Sequence, residues 1–411
     1  MVVEVGGKVS ELLAALRTGE VTTAEVVSAH LAALRQLDRQ TNAIAAFEDD
    51  RALAGAHKLD RAFAAGGVTG SLHGLPVTVK DWIDVAGFPC AGASAKHRGR
   101  RPQVDATVVA RLRRAGAVVV AKTKAWGPTS GNGRVRHPVD PERSPGGSST
   151  GEAVAVASGA SPVGIGSDSG GSIRLPAAWC GAYGLKPTAG RVPATGHFPR
   201  IGALSDGRTQ IGPLARAVED LERVLAVIAG PDWRDAGVAP VPLQPAGRAG
   251  LLGARFAVIM GEAGWWPAAN LAEAVERAAV ILTTAGLTRT AWNGPWLAGA
   301  MDITRRYWAR ARLSGENAAR QLWDWDRFRR HCLEAAENVD LLLTPATLEP
   351  APPHREIIGD DFVFDLPASL TGSPAITVPM GHDPDGMPLA IQLVGRPWED
   401  HRVLAAARLI P

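Results

Sequence analysis

Apolar positions recur at helical spacing from the start of the chain, predicting amphipathic helices over residues 10–17 and about 23–37. In the second, Val26, Val27, Leu31, Leu34 and Leu37 share one face. Thr22 with Glu25 three residues later forms a capping box, since hydroxyl and carboxylate can each accept a free backbone N–H. From Leu75 the period changes. Short β-branched runs at 77–79 and 118–121 flank a helical stretch at 107–114 that should end at Ala115-Gly116, and this alternation predicts α/β architecture. Runs at 256–259, 341–343, 375–378 and 390–394 read as further buried strands, with a helix near 271–285. The proline-rich stretch from about 230 to 250 reads as a surface connection inside one domain. Residues 144–195 are rich in Gly and Ser, yet they contain a helix former at 152–158 and the apolar Val154, Val156, Ile165, Ile173 and Leu175. A flexible linker would lack these, so the glycines point to close backbone approach within a packed domain.

Composition narrows the task. A chain of 411 residues with 46% hydrophobic content can bury a substantial core. Its 44 basic and 41 acidic side chains leave a formal charge of +3, which argues against nucleic-acid or polybasic membrane binding and for a small-molecule partner. Cys90, Cys180 and Cys332 lie too far apart for a CxxC metal spacing, and their odd number suggests no disulfide framework; a soluble protein of the reducing cytoplasm is expected. No apolar run approaches the roughly 18 residues of a membrane span. GxSxG, HExxH and GxxxxGK[ST] patterns are missing, and no histidines pair at i, i+4 around a glutamate. No metal and no organic cofactor is expected.

The chemistry that remains is serine, glycine and lysine. Pro145-Gly146-Gly147-Ser148-Ser149-Thr150-Gly151 precedes the predicted helix, and Gly166-Ser167-Asp168-Ser169-Gly170-Gly171-Ser172-Ile173-Arg174 follows it. Either cluster alone reads equally as a tight turn or as a nest of backbone N–H groups that binds an anion such as phosphate. Acyl transfer requires N–H groups converging beside the attacking oxygen, and glycines at 170 and 171 can turn amides inward next to the Ser172 hydroxyl. A serine hydroxyl also needs a base. Lys80 ends the apolar run in Gly74-Leu75-Pro76-Val77-Thr78-Val79-Lys80-Asp81. Burial would disfavour its ammonium form and free it to act as that base, while the competing reading is a surface lysine at a strand end.

The segments GLPVTVKD, GGSSTG and GSDSGGSIRLP, in that order and with Ser172 24 positions after Ser148, resemble the GxPxxxKD, GGSSGG and GTDxGGSxRxP motifs of the amidase signature family. The resemblance continues through 180–188, 212–216, 343–345 and 372–376. It implies an α/β/α sandwich around a large central mixed β-sheet, as a single domain over 1–411 with N-terminal helices at about 10–38 and a signature core at about 72–215. It also implies Ser172 as acyl-forming nucleophile, Ser148 as a relay serine on a cis peptide, and Lys80 as the terminal base. Amides of Ser169, Gly170, Gly171 and Ser172 would form the oxyanion hole, with Asp168 and Arg174 holding the loop and Ser149 supporting it. Plain surface ions are the alternative for that Asp–Arg pair.

Thr150 stands where the family has glycine, narrowing the local torsions open to the loop, and Ser369 where many members have asparagine. The segment 125–137, which borders the acyl pocket in such folds, is a few residues short. Trp126, Trp179, His197 and Phe198 are the candidates to line or border that pocket, although tryptophans are more often core residues. Three functions compete: a freestanding amidase acting on a carboxamide, preferred on chain length and the lack of a basic tail; the glutaminase subunit of a tRNA-dependent amidotransferase; and a catalytically silent binding protein, which retention of all three catalytic residue types opposes. Homodimer formation is left open.

Overall fold

The capping box at Thr22 closes as the side chains predict, with the Glu25 amide 3.2 Å from Thr22 Oγ1 and the Thr22 amide 2.8 Å from Glu25 Oε2. It starts a helix, Thr23–Thr41, that follows a shorter one, Val9–Thr18. The computed structural model describes residues 4–126, 133–201, 206–297, 299–309 and 314–411. Its strands are β1 (Ile44–Phe47), β2 (Pro76–Lys80), β3 (Val118–Thr123), β4 (Val163–Asp168), β5 (Tyr183–Lys186), β6 (Gln210–Ala215), β7 (Arg255–Val258), β8 (Thr288–Thr290), β9 (Leu341–Pro345), β10 (Ala375–His382) and β11 (Pro388–Gly395). They form one mixed sheet in the order β1-β3-β2-β4-β6-β5-β10-β11-β9-β7-β8. β2 runs parallel to β3 and β4, and β7 parallel to β8 and β9; the remaining pairs are antiparallel.

Helices cover both faces, so the sheet is the middle layer of a three-layer α/β sandwich, as expected. On one face Val77, Val79 and Val119 join Leu221, Val224, Ala274, Leu282 and Val403 from helices Val218–Ile228, Ala269–Thr284 and Asp400–Ala407. On the other, Val118 and Val120 pack with Val27, Leu31 and Leu34 of the long N-terminal helix and with Val154 and Val156 of helix Thr150–Ala157. Alternation along β2 does the rest: with Val77 and Val79 turned to the first layer, Thr78 and Lys80 turn to the second. There Thr78 Oγ1 donates to Glu152 Oε2 at 2.6 Å, and Lys80 meets Ser148. Because β2 and β4 are parallel neighbours, Lys80 and Asp168 stand together at their carboxyl ends, where α/β sheets place their sites.

Several elements depart from the expected bounds. The helix expected over 152–158 is Thr150–Ala157, because Thr150 already takes up the helical turn. Strands β1, β4, β5, β6 and β8, and helices Asp49–Ala64, Arg174–Cys180, Val218–Ile228, Ala300–Trp308, Gly315–Ala335, Leu366–Thr371 and Asp400–Ala407, have no counterpart among the expected elements.

Candidate active site

Lys80 is fully buried, and its Nζ lies 2.7 Å from Ser148 Oγ, 3.2 Å from the Ser167 carbonyl and 3.2 Å from Ser167 Oγ. Burial pulls its pKa from 10.5 to about 7, against the pull of Asp168 and Glu152, which favour the cation. The Trp82 ring sits 4.2 Å from Nζ on another side. The amine is therefore enclosed by acceptors and an aromatic face, and it changes charge near neutrality.

His197 completes this arrangement in a way the sequence did not suggest. Its Nδ1 is 2.8 Å from the Pro199 carbonyl, which can only accept, so Nδ1 carries the proton. Burial, reinforced by the Lys80 charge, lowers its pKa to about 4, so the ring is neutral and Nε2 accepts. The group 3.0 Å from Nε2 is Ser167 Oγ, whose proton is thereby committed to His197. Ser167 can then offer Lys80 only lone pairs, from its hydroxyl and its carbonyl. When Lys80 is neutral, its two N–H bonds face Ser167 and its lone pair faces the hydroxyl of Ser148. The expectation that His197 borders a substrate entrance gives way to this, since the ring is buried behind Lys80 and edge-on to Trp82. Phe198 is half-buried under the Arg100 guanidinium, 3.9 Å away, and edge-on to His97.

The Gly147–Ser148 bond is cis. The two serine loops touch where the Ser149 amide donates to the Ser172 carbonyl at 3.0 Å. Ser149 Oγ spans to the Ser167 backbone, 3.3 Å from its carbonyl and 3.4 Å from its amide, so Ser149 braces the two loops. Thr150, in place of the family glycine, is the first residue of a helix and needs no glycine torsions; its Oγ1 donates to the Gly146 carbonyl at 2.8 Å. Ser172 is partly exposed, and its hydroxyl has no hydrogen-bond partner among the described residues.

Asp168 organises the nucleophile loop. Its Oδ1 accepts from the Gly170 and Gly171 amides at 3.1 and 2.6 Å, and its Oδ2 from Ile173 N at 3.1 Å and Arg174 N at 3.4 Å. Arg174 adds Nε to Oδ2 at 2.9 Å and Nη2 to Oδ1 at 3.0 Å, both side chains being fully buried. Burial pushes the Asp168 carboxyl up, but the Arg174 cation and these hydrogen bonds outweigh it and hold it well below the usual range. Of the four amides expected in the oxyanion hole, Gly170 and Gly171 thus already serve Asp168. Those of Ser169 and Ser172 lack a protein acceptor among the described residues. Gly171 adopts φ +123, and a Cβ there would come within 2.4 Å of Asp365 Oδ2. Ser369 accepts from Arg174 Nη2 at 2.9 Å, which makes it a support of that arginine.

Asp365 lies close to Arg174, Nη1 to Oδ1 being 3.1 Å, but the Nη1 protons go to the Asp365 carbonyl and to Gln392 Oε1. Without a hydrogen bond to either carboxylate oxygen, burial wins over the nearby cation and raises the pKa to about 8.

Trp126 is half-buried; its amide donates to the Ser148 carbonyl at 3.0 Å, and its side chain lines a cavity of about 460 Å³ with Gly146, Thr150, Arg355 and Ile357. Trp179 does not line it. Its ring packs in the core against Gly146 and its Nε1 donates to the Glu349 carbonyl at 3.2 Å. Residues 127–132 of the short segment at 125–137 lie outside the described residues. Among the described residues no group of His, Cys, Asp and Glu could hold a metal ion, and no helix is long and apolar enough to cross a membrane.

A mixed sheet that presents a buried lysine, two serine loops and an Asp–Arg pair at adjoining strand ends has the form of a serine-type amide hydrolase. The Amidase family model matches residues 25–322 and 315–404, and the chain belongs to the amidase signature family. The A subunit of glutamyl-tRNA(Gln) amidotransferase from Symbiobacterium thermophilum is 32% identical over 460 aligned positions, which cover 95% of this chain and 93% of that protein. Among solved structures, native peptide amidase from Stenotrophomonas maltophilia is 28% identical with a TM-score of 0.85, covering 98% of this chain and 96% of that one. The A subunit of glutamyl-tRNA(Gln) amidotransferase from Thermotoga maritima is 27% identical with a TM-score of 0.82, covering 99% and 95%.

Proposed function

We propose that the protein hydrolyses the C–N bond of a carboxamide through an acyl-enzyme on Ser172. The observation that carries this is the 2.7 Å contact between Ser148 and a lysine whose pKa burial brings to about 7. Neutral Lys80 takes a proton from Ser148 as Ser148 takes one from Ser172, whose oxygen attacks the carbonyl carbon. The Ser169 and Ser172 amides meet the oxyanion. The relay then runs backward, the leaving nitrogen receives the proton and departs, and water releases the acid from Ser172. No step calls for a metal or an organic cofactor.

For the biological role, the curated relatives favour the glutaminase component of an amidotransferase over the freestanding amidase preferred from sequence. On this reading the amide is glutamine, the nitrogen leaves as ammonia, and the chain works with other subunits rather than as a homodimer. Three buried free thiols suit a reducing cytoplasm. The freestanding reading keeps one observation in its favour: with 411 residues against 460 aligned positions, the chain is shortened relative to those relatives. Ammonia release should be measured with glutamine and with a panel of neutral carboxamides, alone and with the partner subunits of an amidotransferase. Glutaminase activity that appears only with partners supports the amidotransferase reading. Turnover of neutral amides by the isolated chain, unchanged by partners, overturns it.

A further inference from the structure

Arg208 lies just before β6, and its side chain is fully buried. All three guanidinium nitrogens lack a hydrogen-bond partner among the described residues. Its neighbours do not neutralise it by contact. The guanidinium carbon is 4.5 Å from the centre of the Tyr307 ring. Asp206 directs Oδ1 to the Arg208 and Thr209 amides and the Tyr307 hydroxyl, and Oδ2 to the Thr209 hydroxyl. Asp168 is taken up by Arg174 and four amides. Burial lowers the Arg208 pKa to about 10, which still leaves a cation at neutral pH.

Leaving such a cation unpaired costs several kcal/mol, so its retention calls for an anion that the described chain does not supply. Its position tells which anion. A Cβ on Gly170 would lie 3.2 Å from Nη2, 3.3 Å from Leu366 and 3.7 Å from the partly exposed Trp308. Gly170 is two residues from Ser172, so the guanidinium fork sits beside the nucleophile loop. A planar fork of N–H donors matches a carboxylate in both shape and charge.

We propose that Arg208 anchors a carboxylate carried by the amide substrate, so that the enzyme acts on ω-amides of dicarboxylic acids or amino acids. This rests on Ser172 being the nucleophile, and it names the chemical feature by which the substrate is held. The test compares matched pairs, succinamate against butyramide and glutaramate against pentanamide, in the wild type, Arg208→Gln and Arg208→Lys.

The wild type should favour the better anionic amide by at least about 100-fold in kcat/KM. Arg208→Gln should remove that preference, chiefly through KM, while the neutral amide changes less than about threefold, and Arg208→Lys should retain part of it. Equal losses on both members of a pair, or a wild type indifferent to the carboxylate, overturn the proposal. The second outcome is read from wild type alone, so it stands even if Arg208→Gln fails to fold. Calorimetry of succinate binding to Ser172→Ala, with and without Arg208→Gln, separates this from the catalytic reading. Arg208-dependent succinate binding together with amide turnover that survives Ser172→Ala would overturn the nucleophile and keep the anion site. Amide turnover through Ser172 without succinate binding would overturn the anion site alone.

Discussion

Replacing Lys80 with methionine should abolish catalysis and yet stabilise the fold at low pH. Moving the amine's pKa from 10.5 to about 7 corresponds to about 5 kcal/mol of disfavoured charging, at roughly 1.4 kcal/mol per unit. Below pH 7 the lysine is protonated in both the folded and unfolded states, and the folded state carries the whole penalty. Between pH 7 and 10.5 the unfolded state binds more protons, so wild-type stability rises with pH through that window. Methionine removes the penalty but leaves Ser148 Oγ, Ser167 Oγ and the Ser167 carbonyl without their donor, a loss of about 3 kcal/mol. The net expectation at pH 6 is a variant about 2 kcal/mol more stable than wild type. By pH 9 the wild type has regained about 3 kcal/mol, so the ranking should reverse. Urea unfolding at the two pH values reads both numbers. A variant less stable than wild type at pH 6, or a difference that does not move between pH 6 and 9, would refute the reasoning that Lys80 is held against its own charge.

Other outcomes follow from the same geometry. The rate of Ser172 phosphonylation by a fluorophosphonate should rise with pH through about 7 as Lys80 loses its proton, and a rate flat from pH 5 to 9 would remove lysine from the relay. Asp168→Asn should lower unfolding free energy by about 3–5 kcal/mol, because it leaves the buried Arg174 without its charge partner; a loss under about 1 kcal/mol would contradict that pairing. His197→Phe frees the Ser167 hydroxyl to donate to Lys80 and compete with Ser148 for its lone pair. Phosphonylation should then slow by about tenfold with the fold intact by circular dichroism, and an unchanged rate would show that the tautomer of His197 is irrelevant.

How much of this was legible in the sequence depended on the range of the interactions. The capping box, helix Thr107–Arg114 and the apolar runs of β2, β3 and β9 announced themselves, since each is decided by a local period. β6 did not, because Gly212 and Pro213 give it little strand propensity; it is held as a central strand by pairing with β4 on one side and β5 on the other. In the site, the serine loops and Lys80 were found by motif and spacing. Ser167 lay within a motif, but nothing local signals that its hydroxyl meets a histidine 30 residues away. Trp179 is a pocket candidate because it neighbours the nucleophile loop in sequence, and His197 an entrance candidate because it follows Thr195-Gly196, whereas long-range packing turns His197 behind Lys80 and Trp179 into the core. Arg208 carried no pattern at all. Its oddity is visible only once burial and hydrogen bonding are known together.

The hydroxyl of Ser172 is the centre of the proposed chemistry, and the most direct measurement is to map the site of covalent modification after brief exposure to a fluorophosphonate. One phosphonyl group should be found per chain, on the peptide carrying Ser172. It should be lost in Ser172→Ala and form far more slowly in Ser148→Ala and Lys80→Met. A label on Ser148 or Ser169, or one that persists in Ser172→Ala, would contradict the assignment of the nucleophile.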